Sequence, residues 1–193
     1  MKELEQEILQ NGIIINNEIV KIDSFLNHQI NIPLFMNLAK DIKEHFKGQK
    51  VDKILTIEAS GIALGFAVGL EYGVKNFVFA KKSKSAIVGT NVYQSEVYSF
   101  TRKMTSTVTI DKKFVSPGEN VLIVDDFLAD GQAVHALIDL VHQAGGEVVG
   151  IGIAVEKGQQ NGGRLLREEG YRLESIAVIE EMDWKTQRID FRH

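Results

Sequence analysis

Apolar residues gather along this chain in short runs, each closed by turn or polar residues and separated by stretches of helical periodicity. Ile54 to Ile57 in KILTIE, Phe77 to Ala80 in FVFA, Val121 to Val124 in VLIV and Val148 to Val155 in VVGIGIAV form the runs. Segments this apolar at both odd and even positions suit strands covered on both faces, the pattern of a parallel sheet between two helical layers. Two helices are predicted between them, Ile62 to Tyr72 and Gln132 to Ala144. The second carries Val134, Leu137, Ile138 and Val141 at helical spacing and stops at Gly145-Gly146. Strand, helix, strand in alternation predicts an α/β domain with right-handed crossovers.

Lys81 to Phe114 breaks this rhythm. It opens with KKSKS and then alternates through Val92 to Phe100 and again through Thr105 to Ile110. Alternation rich in Thr, Val and Tyr predicts an antiparallel hairpin, here set in a long flexible loop inserted into the sheet domain. A connection of this length inside a compact domain is usually functional, often a lid. Ahead of the first core strand, NGIII, EIVKIDSFLNHQI and a helix over Pro33 to Phe46 are expected to form a small cap, or hood, over residues 1–50. With no repeat, linker or low-complexity tract, residues 1–193 are expected to make a single domain.

Composition narrows the class without changing this picture. At 44% apolar and 25% charged residues the chain is far from a disordered one. A net charge of −4 lacks the basic footprint of a general nucleic-acid binder. No cysteine is present, which removes disulfides and thiolate chemistry and suits a reducing compartment. The acidic start MKELEQEILQ has no signal-peptide character, and no apolar run approaches the roughly eighteen residues of a membrane span. A cytoplasmic protein with neither nucleic acid nor membrane as partner is expected. His135 and His142 stand seven positions apart on a predicted helix, about 10 Å of rise, too far to share one ion. No metal held by protein ligands alone is therefore expected.

Chemistry concentrates in Val121 to Ala133, VLIVDDFLADGQA. A buried strand is predicted to end at Asp125 and Asp126, and a loop with Gly131 then opens a helix. Ligands of open α/β sheets bind at the carboxyl ends of the strands. Ionised carboxylates accept hydrogen bonds only, so the pair matches vicinal ribose hydroxyls or a magnesium ion that holds them. Free N–H groups at the start of the helix, with its positive dipole end, favour a phosphate. Gly131 permits close backbone approach and the small Ala129 and Ala133 keep the cradle open. Acids for hydroxyls, followed by a phosphate cradle over Ala129, Asp130, Gly131, Gln132 and Ala133, describe a site for a ribose 5-phosphate.

These residues resemble the phosphoribosyl pyrophosphate (PRPP) signature of the type I phosphoribosyltransferases. The likeness continues through IDSFLNHQI at 22–30, TIEASGIA at 56–63, FAKKSKS from 79, VYSFT at 97–101 and GIGIAVEK at 150–157. Taken in order, these segments are similar to the bacterial branch of the family that acts on xanthine. The resemblance implies the type I fold, a mainly parallel twisted sheet flanked by helices, and transfer of ribose 5-phosphate from PRPP to xanthine with release of pyrophosphate. It implies Asp125 and Asp126 on the ribose, and Val20, Asn27 and Lys157 around the base. The turn Glu58-Ala59-Ser60-Gly61 would meet the pyrophosphate, with Lys81, Lys82 and Lys84 as candidate cations for the leaving group. Magnesium is expected with PRPP by chemical analogy. A homodimer is also implied, in which the inserted hairpin could reach a neighbour's site.

The chemistry of the base agrees. The Lys157 ammonium donates and cannot accept, so it favours a 6-oxo over a 6-amino purine. The Asn27 amide can donate to a second carbonyl, at the 2-position. The chain also departs from its relatives. Ala129 stands where enzymes for guanine and hypoxanthine carry Asp, so no general base is assigned. Asp130 replaces a usual Asn, Leu64 a Pro and Val20 a Leu, and GQQNGG after Lys157 is looser than in the relatives. Two alternatives stay open: another 6-oxopurine phosphoribosyltransferase, or a PRPP-sensing regulator without activity, which would need a DNA-binding module.

Overall fold

The computed structural model describes residues 1–83, 91–99 and 104–193. Its elements run α1 (Lys2–Asn11), β1 (Ile13–Asn16), β2 (Ile19–Lys21), α2 (Ile32–His45), β3 (Lys53–Ile57), α3 (Gly61–Tyr72), β4 (Val78–Ser83), β5 (Val92–Ser99), β6 (Met104–Asp111), β7 (Asn120–Leu128), α4 (Gln132–Gln143), β8 (Glu147–Lys157), α5 (Gly162–Glu168), β9 (Leu173–Asp183) and β10 (Arg188–Arg192). Among the described residues, ten strands form a two-stranded ribbon, β1-β2, and an eight-stranded sheet of order β10-β9-β8-β7-β3-β4-β6-β5. The central pairings among β9, β8, β7, β3 and β4 are parallel, and β10, β6 and β5 run antiparallel at the two edges.

The apolar runs become strands because each of their faces has a helix to bury against. On one face Ile54, Leu122, Val124 and Ala154 join Leu38, Ile42, Leu64 and Val68 of α2 and α3. On the other, Leu55, Ile123, Ile151 and Ile153 join Val134, Leu137 and Val141 of α4. Helix α2 starts where the Asn31 side chain accepts the Leu34 N–H at 3.2 Å, followed by Pro33 in the first turn. Helix α3 ends on Gly73 in the left-handed region, at φ 70°.

The hood is built into the first of these cores. Leu4 and Ile8 of α1, with Ile14, Val20, Phe25 and Leu26, share the cluster that contains Val155 and Ile179 of β8 and β9. Polar ties hold it in place. The Met1 ammonium donates to the Ile176 carbonyl at 2.6 Å, and Gln187 both accepts from the Ile14 N–H and donates to its carbonyl, at 3.0 and 2.9 Å.

Three features differ from the sequence expectation. Strand β7 does not end at the acids; Asp125, Phe127 and Leu128 continue the ladder against Ile153, Val155 and Glu156 of an equally long β8. The polar character of an acidic pair looks like a strand end, and backbone pairing overrides it. Lys81 and Lys82 are likewise strand and not loop. They pair with Thr109 and Val108, so the hairpin extends the sheet instead of standing apart from it, and Val108 and Ile110 are buried in the second core. Residues 84–90 and 100–103, part of the expected flexible loop, lie outside the described residues. Third, α5, β9 and β10 did not stand out in the hydrophobic pattern. No helix among the described residues is long and apolar enough to cross a membrane.

Candidate active site

The end of β7 brings the acidic pair beside the turn that follows β3. Asp125 and Asp126 are 5% and 3% exposed. The Ser60 hydroxyl donates to Asp126 Oδ1 at 2.8 Å, and the Asp126 N–H donates to Asp125 Oδ1 at 3.0 Å. No lysine or arginine among the described residues forms an ion pair with either carboxylate. Burial, followed by the charge of Asp126 alongside, raises the Asp125 carboxyl well above its ordinary range, against the pull of the Asp126 N–H bond and the Lys82 ammonium. The first turn of α3 sits directly on this group: a Cβ at Gly61 would lie 2.7 Å from Asp125 Oδ1 and overlap Thr56 Oγ1. Glu58 of the same turn accepts the Lys82 N–H at 2.7 Å, and the Glu58–Ala59 peptide is cis.

Alternation along β4 separates the two lysines. Lys82 is directed toward the acids, whereas Lys81 lines a 520 Å³ cavity with Phe77, Phe79 and Phe114. Lys84 lies outside the described residues.

The loop from Ala129 to Ala133 turns between β7 and α4. Gly131 takes φ 84° and ψ −3° as the residue before α4, a conformation other residues adopt at a cost. Asp130 does not face outward as a bare charge. Its Oδ1 accepts the Gln132 N–H at 3.1 Å, closing a local turn. The Ala133 and Val134 N–H groups, in the first turn of α4, have no acceptor among the described residues. His135 backs the loop from inside. Its Nδ1 lies 2.9 Å from the Gly131 carbonyl and its Nε2 3.0 Å from Glu169.

Lys157, the last residue of β8, stands at the other end of the site. Its Nζ donates to the Glu18 carbonyl at 2.6 Å and lies 5.3 Å from the centre of the Phe127 ring. Burial depresses its ammonium below the ordinary lysine value, against the pull of Glu18 and Asp130. The field of Asp130 thus reaches Lys157 from the Ala129–Ala133 loop. Gln159 donates to the Asn17 carbonyl at 2.8 Å, a second tie from the end of β8 to the ribbon β1-β2. Val20 is 8% exposed in that ribbon, and Asn27 is exposed at the end of the helical turn Asp23–Asn27. The fold therefore brings Ser60, Gly61, Lys82, Asp125 and Asp126 together, and gathers Lys157 with the ribbon that carries Val20. It does not bring Asn27 into a hydrogen bond with any of them among the described residues.

Two contributors escaped the sequence reading. Phe127 supplies a flat apolar face next to Lys157, and its place directly after the acidic pair was the available signal. The main-chain carbonyl of Glu18 anchors the ammonium, and no side-chain pattern encodes that.

A model of the phosphoribosyl transferase domain matches residues 21–192, and the chain belongs to that family. Its similarity to curated relatives is narrower. The chain is 48% identical over 192 residues, all of both proteins, to the xanthine phosphoribosyltransferase of Bifidobacterium adolescentis. It is 50% identical over 183 residues, 95% of this chain and 96% of the relative, to that of Clostridioides difficile. Among solved structures, adenine phosphoribosyltransferase from Rhodothermus marinus superposes with a TM-score of 0.73 at 23% identity, covering 93% of this chain and all of the other. The enzyme of the same name from Thermoanaerobacter pseudethanolicus gives 0.66 at 27% identity, over 77% of this chain and 81% of that one.

Proposed function

We propose that the chain is a xanthine phosphoribosyltransferase of purine salvage, joining N9 of xanthine to the anomeric carbon of PRPP to give xanthosine 5′-monophosphate and pyrophosphate. One observation carries this reading: β7 bears two buried carboxylates that have no ion-pair partner among the described residues and leads into a helix N-terminus whose Ala133 and Val134 N–H groups have no acceptor among them, while the adjacent β8 ends on a lysine held over an aromatic ring. A phosphate cradle, hydroxyl acceptors and a donor for an oxo group match the three parts of a purine nucleotide. The relatives at 45–50% identity bear the same name.

In this reading the Ala129–Ala133 loop binds the 5′-phosphate, through the N–H groups of Ala133 and Val134 and the dipole of α4. The Asp130 carboxylate is occupied by the Gln132 N–H, which limits its repulsion of the phosphate. Asp125 and Asp126 accept from the ribose hydroxyls, and as fixed negative charge favour the cation-like ribose that forms as the bond to pyrophosphate breaks. Ser60, Gly61 and Lys82 border the leaving group. Lys157 donates to the 6-oxo group with Phe127 beside it, Val20 shapes the pocket, and Asn27 reaches the 2-oxo group. No general base is assigned.

Magnesium fits this donor set as a substrate-borne ion. No cluster of three or more His, Cys, Asp or Glu among the described residues could hold it alone. Two carboxylates together with substrate oxygens and water are its usual surroundings. When bound it supplies positive charge to the pyrophosphate.

The chain is also proposed to act as a homodimer. Phe66, Leu70 and Phe114 are about half exposed, and Phe66 packs edge-on against Phe77, which meets Phe79. A contiguous aromatic patch of this kind favours burial against a second copy. Light scattering should give twice the chain mass for the wild type and a monomer for Phe66→Glu; a monomeric wild type at micromolar concentration ends this part of the proposal.

The decisive experiment supplies PRPP and magnesium with xanthine, guanine, hypoxanthine or adenine in turn. Xanthine should be the best substrate and adenine inert, and omitting magnesium should abolish turnover. A better rate with guanine or hypoxanthine would transfer the protein to the alternative 6-oxopurine class. PRPP binding without turnover of any base would favour a sensor.

A further inference from the structure

We infer that α5, the GQQNGG segment before it and Glu169 form a positioning brace that sets the backbone of the Ala129–Ala133 loop and ties it to the strand carrying Lys157. The inference rests on the loop being the 5′-phosphate site, and it assigns a role to residues that touch no substrate.

The contact is backbone on backbone. The Gly162 N–H donates to the Ala129 carbonyl at 3.2 Å. A Cβ added at Gly162 would overlap that carbonyl and stand 2.6 Å from the Gly131 nitrogen and 2.7 Å from the Asp130 carbonyl carbon. Viewed from the loop, a Cβ at Gly131 would lie 3.1 Å from Gly162 Cα. Neither side has a flexible side chain that could yield, so the position of α5 and the path of the loop are one variable.

A second grip acts at the far end of the helix. The Glu169 carboxylate lies 3.0 to 3.1 Å from His135 Nε2, and His135 Nδ1 reaches the Gly131 carbonyl at 2.9 Å. The loop is thus held at Ala129 from one end of α5 and at Gly131 from the other.

A third contact fixes the brace to the sheet. Arg167 of α5 makes two parallel hydrogen bonds, 2.9 and 2.8 Å, to Glu156, which is 2% exposed and also accepts from the Ser175 hydroxyl. Burial alone would push the Glu156 carboxyl up; the bonds from Arg167 and Ser175 outweigh it and the group is held below its ordinary value. Glu156 and Lys157 are neighbours on β8 and leave the strand on opposite sides. One grips α5, and the other meets the ribbon β1-β2. The end of β8 therefore relates the phosphate loop to the base end of the site through a short rigid path.

The 460 Å³ cleft beside the brace does not serve as an anion pocket. Its three arginines, Arg164, Arg167 and Arg192, are each paired with a carboxylate, Glu168, Glu156 and Glu180 respectively. Their charge is used inside the protein, as a brace requires.

Calorimetric PRPP titration with magnesium, together with steady-state kinetics, tests the assignment on the full chain. Gly162→Ala should weaken PRPP binding tenfold or more while KM for xanthine at saturating PRPP stays within twofold. A displacement of about 1 Å in a positioning element is enough for losses of that size. Glu169→Gln, which leaves the packing unchanged and removes the charge behind His135, should weaken PRPP binding about threefold. Arg188→Ala, an exposed residue of β10 outside the brace, should change neither constant. PRPP affinity within twofold of wild type in both Gly162→Ala and Glu169→Gln overturns the brace, as does an equal loss on xanthine and PRPP. If Gly162→Ala does not fold, Glu169→Gln decides. Wild-type protein that binds PRPP but turns over no base would refute the proposed reaction and leave the brace test intact; wild type that binds no PRPP would refute both.

Discussion

Replacing Lys157 with Met removes the ammonium while keeping most of the stem that lies against Phe127. One of the three ammonium donors is used by the Glu18 carbonyl, at 2.6 Å, and the ring of Phe127 stands 5.3 Å away. At least one donor is therefore available for a purine oxo group. A hydrogen bond from a charged donor contributes about 1.5–3 kcal/mol. Its loss corresponds to roughly ten- to hundredfold in xanthine KM. The effect on folding should be smaller, because the Glu18 carbonyl can turn to water and the depressed ammonium no longer has to be desolvated. A net loss of about 1 kcal/mol or less would lower Tm by roughly 2–4 °C in a chain of this size. Steady-state kinetics with each substrate varied in turn would locate the loss. It should fall on xanthine, with the PRPP constant within about twofold. A Lys157→Met enzyme with unchanged xanthine KM, or one whose loss falls on PRPP, would refute the role of Lys157.

Asp125→Asn should separate stability from function. The amide keeps the acceptor for the Asp126 N–H and removes one of two adjacent buried charges. Because burial and Asp126 raise the Asp125 carboxyl in the folded state, its contribution favours the fold below the ordinary aspartate value of 3.8 and erodes as pH rises toward the folded value. The variant without PRPP should therefore melt higher than wild type at neutral pH, with the gap closing toward pH 4, while PRPP turnover falls at least a hundredfold. A variant that melts lower at pH 7 would contradict the electrostatic account, and near wild-type turnover would contradict the ribose assignment.

The outcome at particular residues shows what could be read in advance. Periodicity located the core strands and α3 and α4, because positions covered on both faces must be apolar whatever the rest of the chain does. The acids and the glycine turn were legible for the same kind of local reason: carboxylates have one hydrogen-bonding role, and Gly131 one conformational licence. Strands β9 and β10 were not legible: β10 lies at the sheet edge, and the pattern of β9 is broken by Glu174, Glu180 and Glu181. The reading of Lys81 and Lys82 as loop failed because their pairing partner is the distant β6, which a local run of lysines and serines does not reveal.

The sequence by itself determined the α/β class, the order of acidic pair and glycine turn along β7 and its loop, and the positive charge at the end of β8. Each depends on neighbours along the chain. The tertiary structure decided which of two adjacent lysines faces the acids, that the Glu18 main chain holds Lys157, and that Gly162 seats the loop of Gly131 thirty-one positions earlier. Those depend on strand alternation, backbone carbonyls and close approach between distant segments, and none of the three leaves a mark in residue type alone.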